Sequence, residues 1–153
     1  MKLRLTAAAI LAAAVGLVFA AAPDHARAQA KQPPACAMIS FRALPEGVGE
    51  GEQEAGMYKS RFGRINVKGT VKNGRAENYF VTVNDKKPEP ASNLPASVAS
   101  CAQQKHLPTP GAAASVCAGS RLRVLIDRAA DKRYIVLYAL DGRKWTMCSA
   151  GTA

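Results

Sequence analysis

From Gly63 to Lys72 the chain alternates: Ile65, Val67 and Val71 fall on one side, and Arg64, Asn66, Lys68, Thr70 and Lys72 on the other. A repeat of two is the period of an extended strand with one face buried and one in water, and no helix presents it. Asn73-Gly74 follows, and Tyr79, Val81 and Val83 resume the same spacing, so the segment is expected to be a β-hairpin. A two-residue turn at Asn73-Gly74 would set Val67 opposite Phe80 and turn Tyr79 and Val81 toward the charged face. A three-residue loop, Lys72-Asn73-Gly74, sets Val67 opposite Tyr79 and Ile65 opposite Val81, with Gly74 in the left-handed position of a bulge. A slip of one residue would send a whole apolar face into water, which favours the second register.

Further strands bracket this hairpin. Cys36 to Leu44 is short and apolar enough for a first strand. Pro45–Gly56 holds four glycines and four glutamates and reads as a loop. Leu94, Val98, Cys101 and Ala102 recur at helical spacing, with Ser92 or Asn93 placed to cap, Pro95 near the first turn, and an end by Lys105. Between Arg121 and Arg128, Leu122, Val124 and Ile126 alternate with polar neighbours. Tyr134 to Leu140 is apolar on both faces, as a strand covered on both sides must be. Asp141-Gly142 makes a turn into Arg143 to Cys148, which completes a meander. The expected fold is mainly β (α+β at most): about six strands in a small antiparallel sheet curled into a barrel or sandwich, with one short helix.

The N-terminus bears on compartment. Lys2 and Arg4 precede an uncharged run from Thr6 to Ala22, and small residues at −3 and −1 allow signal-peptidase cleavage after Ala22, Ala28 or Ala30. Cleavage after Ala30 is preferred, because Lys31-Gln32-Pro33-Pro34 resembles an extended mature terminus. Residues 1–30 are therefore expected to be a cleavable leader, and residues 31–153 a single periplasmic or secreted domain with no transmembrane span after processing. Processing removes Lys2, Arg4, Arg27 and Asp24, which takes the formal charge from +10 to +8. All four cysteines, Cys36, Cys101, Cys117 and Cys148, lie beyond the leader. In an exported chain an even count reads as two disulfides. The expected pairs are Cys101–Cys117, closing a local loop, and Cys36–Cys148, joining the first strand to the last. No Cys-x-x-Cys spacing points to a metal.

The chain carries none of the usual signatures of catalysis. His106 is the one histidine beyond the leader, and no Gly-x-Ser-x-Gly, His-Glu-x-x-His, phosphate-cradling loop or dinucleotide fingerprint occurs. No catalytic residue, metal or cofactor is assigned, and the expectation is a non-catalytic binding protein. Tyr58, Lys59, Arg61, Phe62, Arg64 and Lys68 interleave aromatics with cations and form the candidate binding face. Its expected partner is an anionic macromolecule or envelope polymer, or an extracytoplasmic protein; an exported protein meets little nucleic acid. Arg121, Arg123, Arg128, Lys132 and Arg133 form a second basic set, which would merge with the first if the sheet curls. Two alternatives compete. Loop 45–56 could plug an enzyme cleft in an inhibitor-type protein, or Glu46, Glu50, Glu52 and Glu54 could hold a hard cation such as calcium. Trp145, the single tryptophan, is expected to pack against a disulfide through its neighbour Cys148.

Overall fold

The structure, a computed structural model, describes residues 35–89, 94–129 and 131–153; the expected leader, Ser92 and Asn93 lie outside the described residues. The elements are β1 (Ala37–Arg42), β2 (Gly51–Ser60), β3 (Gly63–Lys72), β4 (Arg75–Val83), α1 (Ala96–Gln104), β5 (Arg121–Ala129), β6 (Lys132–Asp141) and β7 (Lys144–Thr152). They form a four-stranded sheet in the order β1-β5-β6-β7 and a three-stranded sheet in the order β2-β3-β4, both antiparallel throughout. Ile65, Val67, Tyr79, Val81 and Val83 of one sheet meet Leu122, Val124, Ile126, Ile135 and Leu137 of the other in the main core. No ladder joins the sheets, so the architecture is a sandwich and not a barrel. The seam at β7 is stitched by single bonds: Val81 N–H of β4 donates to Ser149 Oγ (2.9 Å), and Glu89 N–H, beyond the end of β4, to the Ala150 carbonyl (2.7 Å).

The first hairpin keeps its apolar face by a different device from the one expected. Lys72 pairs with Arg75 across a two-residue turn, with Asn73 at φ 51° and Gly74 at φ 73°. Positive φ at both central positions matches the twist of the flanking strands, which is why Asn-Gly is favoured there. The register then shifts between Thr70 and Val71, leaving Glu77 of β4 as the extra residue, so Val67 meets Val81 and Ile65 meets Val83. The expected pairs, Val67 with Tyr79 and Ile65 with Val81, are incorrect, because the bulge sits inside the strand and not in the turn.

The expected loop 45–56 is also corrected, since its second half belongs to β2. Gly51 to Glu54 pair with Val71 to Lys68, and a second irregularity lies between Glu54 and Gly56. β2 lies at the edge of its sheet, so it needs backbone partners on one side only and little apolar area. A Gly- and Glu-rich strand is tolerated there, and its charges and bulge are what protect an exposed edge. The seventh strand is thereby accounted for. The last turn lies one residue later than expected, at Gly142-Arg143, since Asp141 pairs with Lys144.

α1 covers the outer face of the four-stranded sheet. Val98, Cys101, Ala102 and Leu107 pack on Leu125, Val136, Tyr138, Met147 and Ala150 in a second apolar cluster. β6 is consequently buried on both sides, as its unbroken apolar run requires. The helix starts after Pro95, with no side-chain cap. It ends in a Schellman motif: His106 sits at φ 55°, its N–H reaches the Gln103 carbonyl (3.0 Å), and Leu107 N–H reaches Ala102 (2.9 Å). His106 is thus an exposed helix terminator.

Two disulfides form, but not the expected pairs. Cys36 joins Cys101 and Cys117 joins Cys148, with Cα separations of 5.2 and 5.3 Å. Cys36 and Cys101 belong with the cluster under α1, whereas Cys117 and Cys148 lie in the core between the sheets. Either expected pair would have had to pass through the four-stranded sheet. Cys148 is the bulged residue of β7, at the shift between Leu137 and Tyr138; it faces inward by alternation from Met147, and the bulge lets Ser149 face inward beside it. No helix among the described residues is long and apolar enough to cross a membrane.

Candidate functional site

The face expected from Tyr58 to Lys68 divides between the two sides of its sheet. Tyr58 and Phe62 are half-buried and pack on the main core, while Lys59, Arg61 and Arg64 are exposed. Alternation makes this unavoidable within the strands, so Tyr58 does not stand beside Lys59 and Arg64 on one surface. Arg64 forms an ion pair with Asp85, and Lys68 lies 3.8 Å from Glu52. Part of the second basic set nonetheless reaches the first at one end of the sandwich, whereas Arg121 and Arg123 lie at the other end of β5. Arg61 and Phe62 form the turn between β2 and β3, and the Arg133 guanidinium lies over the Phe62 ring at 5.7 Å. Within cation–π reach of the ring, Arg133 also stands directly opposite Arg128 on β5. Partial burial, followed by repulsion from Arg128 and Arg61, lowers the Arg133 pKa below the usual arginine value. Three guanidinium groups from two distant segments therefore concentrate positive potential beside one ring.

The same opposition of cations recurs elsewhere. Lys59 faces Arg64, Lys72 faces Arg75 and Arg42 faces Arg121 across their ladders. Like charges directly opposite destabilise a sheet unless something compensates them. Asp85 compensates Arg64, and Glu46 lies 3.4 Å from Arg75. Arg42 and Arg121 have no ion-pair partner among the described residues. They flank a cleft of about 500 Å³ on the outer face of the four-stranded sheet, lined also by Ser40, Ser120, Arg123 and Trp145. Arg123 lies over the Trp145 ring at 4.3 Å. The expected packing of Trp145 beside Cys148 is corrected here: Trp145 belongs to the outer cluster and Cys148 to the inner core.

No protein-family model, curated protein or solved structure matches this chain. The reading of function therefore rests on geometry and charge alone.

The four glutamates are dispersed among separate partners. Glu46 pairs with Arg75, Glu50 accepts the Gly74 N–H at 3.0 Å, and Glu52 lies near Lys68. Glu54 stands exposed on β2, opposite Lys68. Among the described residues no three His, Cys, Asp or Glu side chains form a group able to hold a metal ion. The remaining loop, ahead of β2, is tied to the β3–β4 turn by Gly47 N–H, which donates to the Gly74 carbonyl at 2.8 Å. Sequence reasoning passed over Arg42 and the stacking of Arg123 on Trp145. Only the pairing of β1 with β5, between segments far apart in the chain, brings these groups together.

Proposed function

We propose that this is an exported, non-catalytic binding protein, periplasmic or secreted, that takes an anionic macromolecule such as an envelope polymer. The binding surface is the basic end of the sandwich: Lys59, Arg61, Arg64 and Lys68 with Arg128, Lys132 and Arg133. The observation that carries this reading is the convergence of Arg61, Arg128 and Arg133 beside Phe62. Clustered cations repel one another in the free protein, and a polyanion relieves that repulsion while releasing its own counterions. The two disulfides suit an oxidising compartment outside the cytoplasm.

Heparin, a soluble polyanion, is the test ligand. The mature protein should bind it at low ionic strength and release it progressively as salt screens the charges. The double variant Arg61→Gln/Arg133→Gln should elute from immobilised heparin at clearly lower salt. Binding that survives high salt unchanged, or that is the same in the variant, would overturn the proposal.

A further inference from the structure

The outer face of the four-stranded sheet is only half covered. α1 lies over Leu125, Val136 and Tyr138. At the end of β5 nearest Ser120, the same face presents Arg121 and Arg123, beside Ser40 and Arg42 of β1 and Trp145 of β7. Directly opposed residues share a face, so the pairs Arg42–Arg121 and Ser40–Arg123 aim these four side chains into one cleft. Trp145 is the fifth group, and the Arg123 guanidinium lies over its indole, 4.3 Å from the ring centroid. Stacking restricts a side chain that would otherwise be highly mobile, so part of the entropic penalty of holding a ligand is met before binding.

We infer that this cleft binds a small ligand consisting of a flat ring that carries an oxyanion, carboxylate or phosphate. Arg42 and Arg121 hold the oxyanion. Guanidinium forks match both oxyanions in bidentate geometry, and two like charges facing each other with no acid between them are stabilised by an anion placed there. The ring lies against the stacked Arg123 and Trp145. The serine hydroxyls of Ser40 and Ser120 supply further donors at the rim. A volume of about 500 Å³ falls within the range of small-molecule sites. This site is separate from the polyanion surface: Arg121 and Arg128 stand seven residues apart on β5, about 23 Å along an extended strand.

Trp145 is the only tryptophan, so its fluorescence reports on this cleft directly. The mature, disulfide-bonded protein is titrated with benzoate, phenyl phosphate, acetate and benzyl alcohol, with far-ultraviolet circular dichroism confirming that each variant is folded. Benzoate, phenyl phosphate or both should give a saturable change at millimolar concentration, and whichever binds more tightly identifies the oxyanion. Acetate lacks the ring and benzyl alcohol lacks the charge, so both should bind at least about tenfold more weakly. Arg42→Ala and Arg121→Ala, both at exposed positions, should each weaken binding about tenfold, as expected for loss of a charged hydrogen-bond partner. Arg61→Gln/Arg133→Gln should leave the response unchanged, which separates failure here from failure of the polyanion surface. A response equal for acetate and benzoate, a response indifferent to Arg42 and Arg121, or no saturable response would each overturn the inference.

Discussion

Removing the Cys36–Cys101 bridge tests the two-sided character of the four-stranded sheet. The bridge spans 65 residues, and the chain-entropy relation for a loop of that size gives about 4.3 kcal/mol at 25 °C. What it holds in place is α1, nine residues long and too short to be stable alone. Docking of this helix rests mainly on Val98 and Leu107, 0 % and 5 % exposed. Two such side chains contribute about 3–6 kcal/mol, most of it opposed by ordering the helix and the chain around it. The bridge and the docking are thus comparable terms, and the helix should not stay seated without the first. The variant Cys36→Ala/Cys101→Ala should therefore release α1 while the core between the sheets persists. Hydrogen exchange read by mass spectrometry should show the amides of residues 98–107 losing protection and those of β6 largely keeping theirs. Cys117→Ala/Cys148→Ala should behave differently. Its bridge spans 31 residues, for about 3.7 kcal/mol, but both sulfurs lie in the main core and their removal leaves unfilled volume. Protection should fall throughout the sandwich. A non-reducing peptide map that links Cys101 to Cys117 would refute this two-sided arrangement. Full protection retained in α1 of the first variant would refute it equally.

Three further outcomes follow from local packing. Gly69→Val should destabilise the protein by about 1–3 kcal/mol, read as a lower urea midpoint, because a Cβ there would stand 2.8 Å from Leu44 Cδ1 and 3.0 Å from Tyr79 Cε1. Burial raises the pKa of Tyr138 above its ordinary value of 10.0, so the folded state keeps this proton after the unfolded chain has lost it. Its contribution should be intact below about pH 10 and fall as the pH rises further; Tyr138→Phe should flatten that decline in urea titrations while losing the hydrogen bond to the Pro108 carbonyl (2.9 Å). Thr82→Val should be neutral or stabilising in the same assay, since Thr82 Oγ1 is buried with no hydrogen-bond partner among the described residues.

What the sequence made legible was whatever depends on local periodicity. Ile65, Val67, Tyr79, Val81 and Val83 could be assigned to one buried face because alternation is written into neighbouring residues. The doubly covered β6 announced itself by an unbroken apolar run. Where the reading failed, a single residue had changed the phase of a strand. Glu77 and Cys148 are ordinary residues at bulges, with nothing in their chemistry to mark the extra position, and each reverses the inward-outward count beyond it. Alternation from Trp145 does place Cys148 on the opposite face, but the sides taken by Cys36, Cys101 and Cys117 depend on which strands pair and where α1 docks, which local periodicity does not carry. The expected disulfide pairs failed for that reason, and the expected neighbour of Trp145 failed because residues three apart on a strand face opposite ways. β2 escaped because an edge strand is held by backbone bonds to β3 and needs few apolar side chains.

The same distinction governs the two candidate sites. The basic end of the sandwich was foreshadowed, because its cations are dense in the sequence near the turns of two hairpins, and any antiparallel packing that brings those turns to one end will merge them. The cleft at Trp145 was not, because its defining feature is a juxtaposition. Arg42 and Arg121 are unremarkable exposed arginines until β1 is placed against β5. Once they are, the ladder carries a cost that neither residue has alone, and the helix that could have covered it stops over the apolar half of the face. An uncompensated cation pair beside a tryptophan already occupied by a third arginine is difficult to justify as a stabilising surface feature. An anion held there would turn the same arrangement from a liability into a site, which is why the cleft, and not the larger basic end, makes the sharper functional claim.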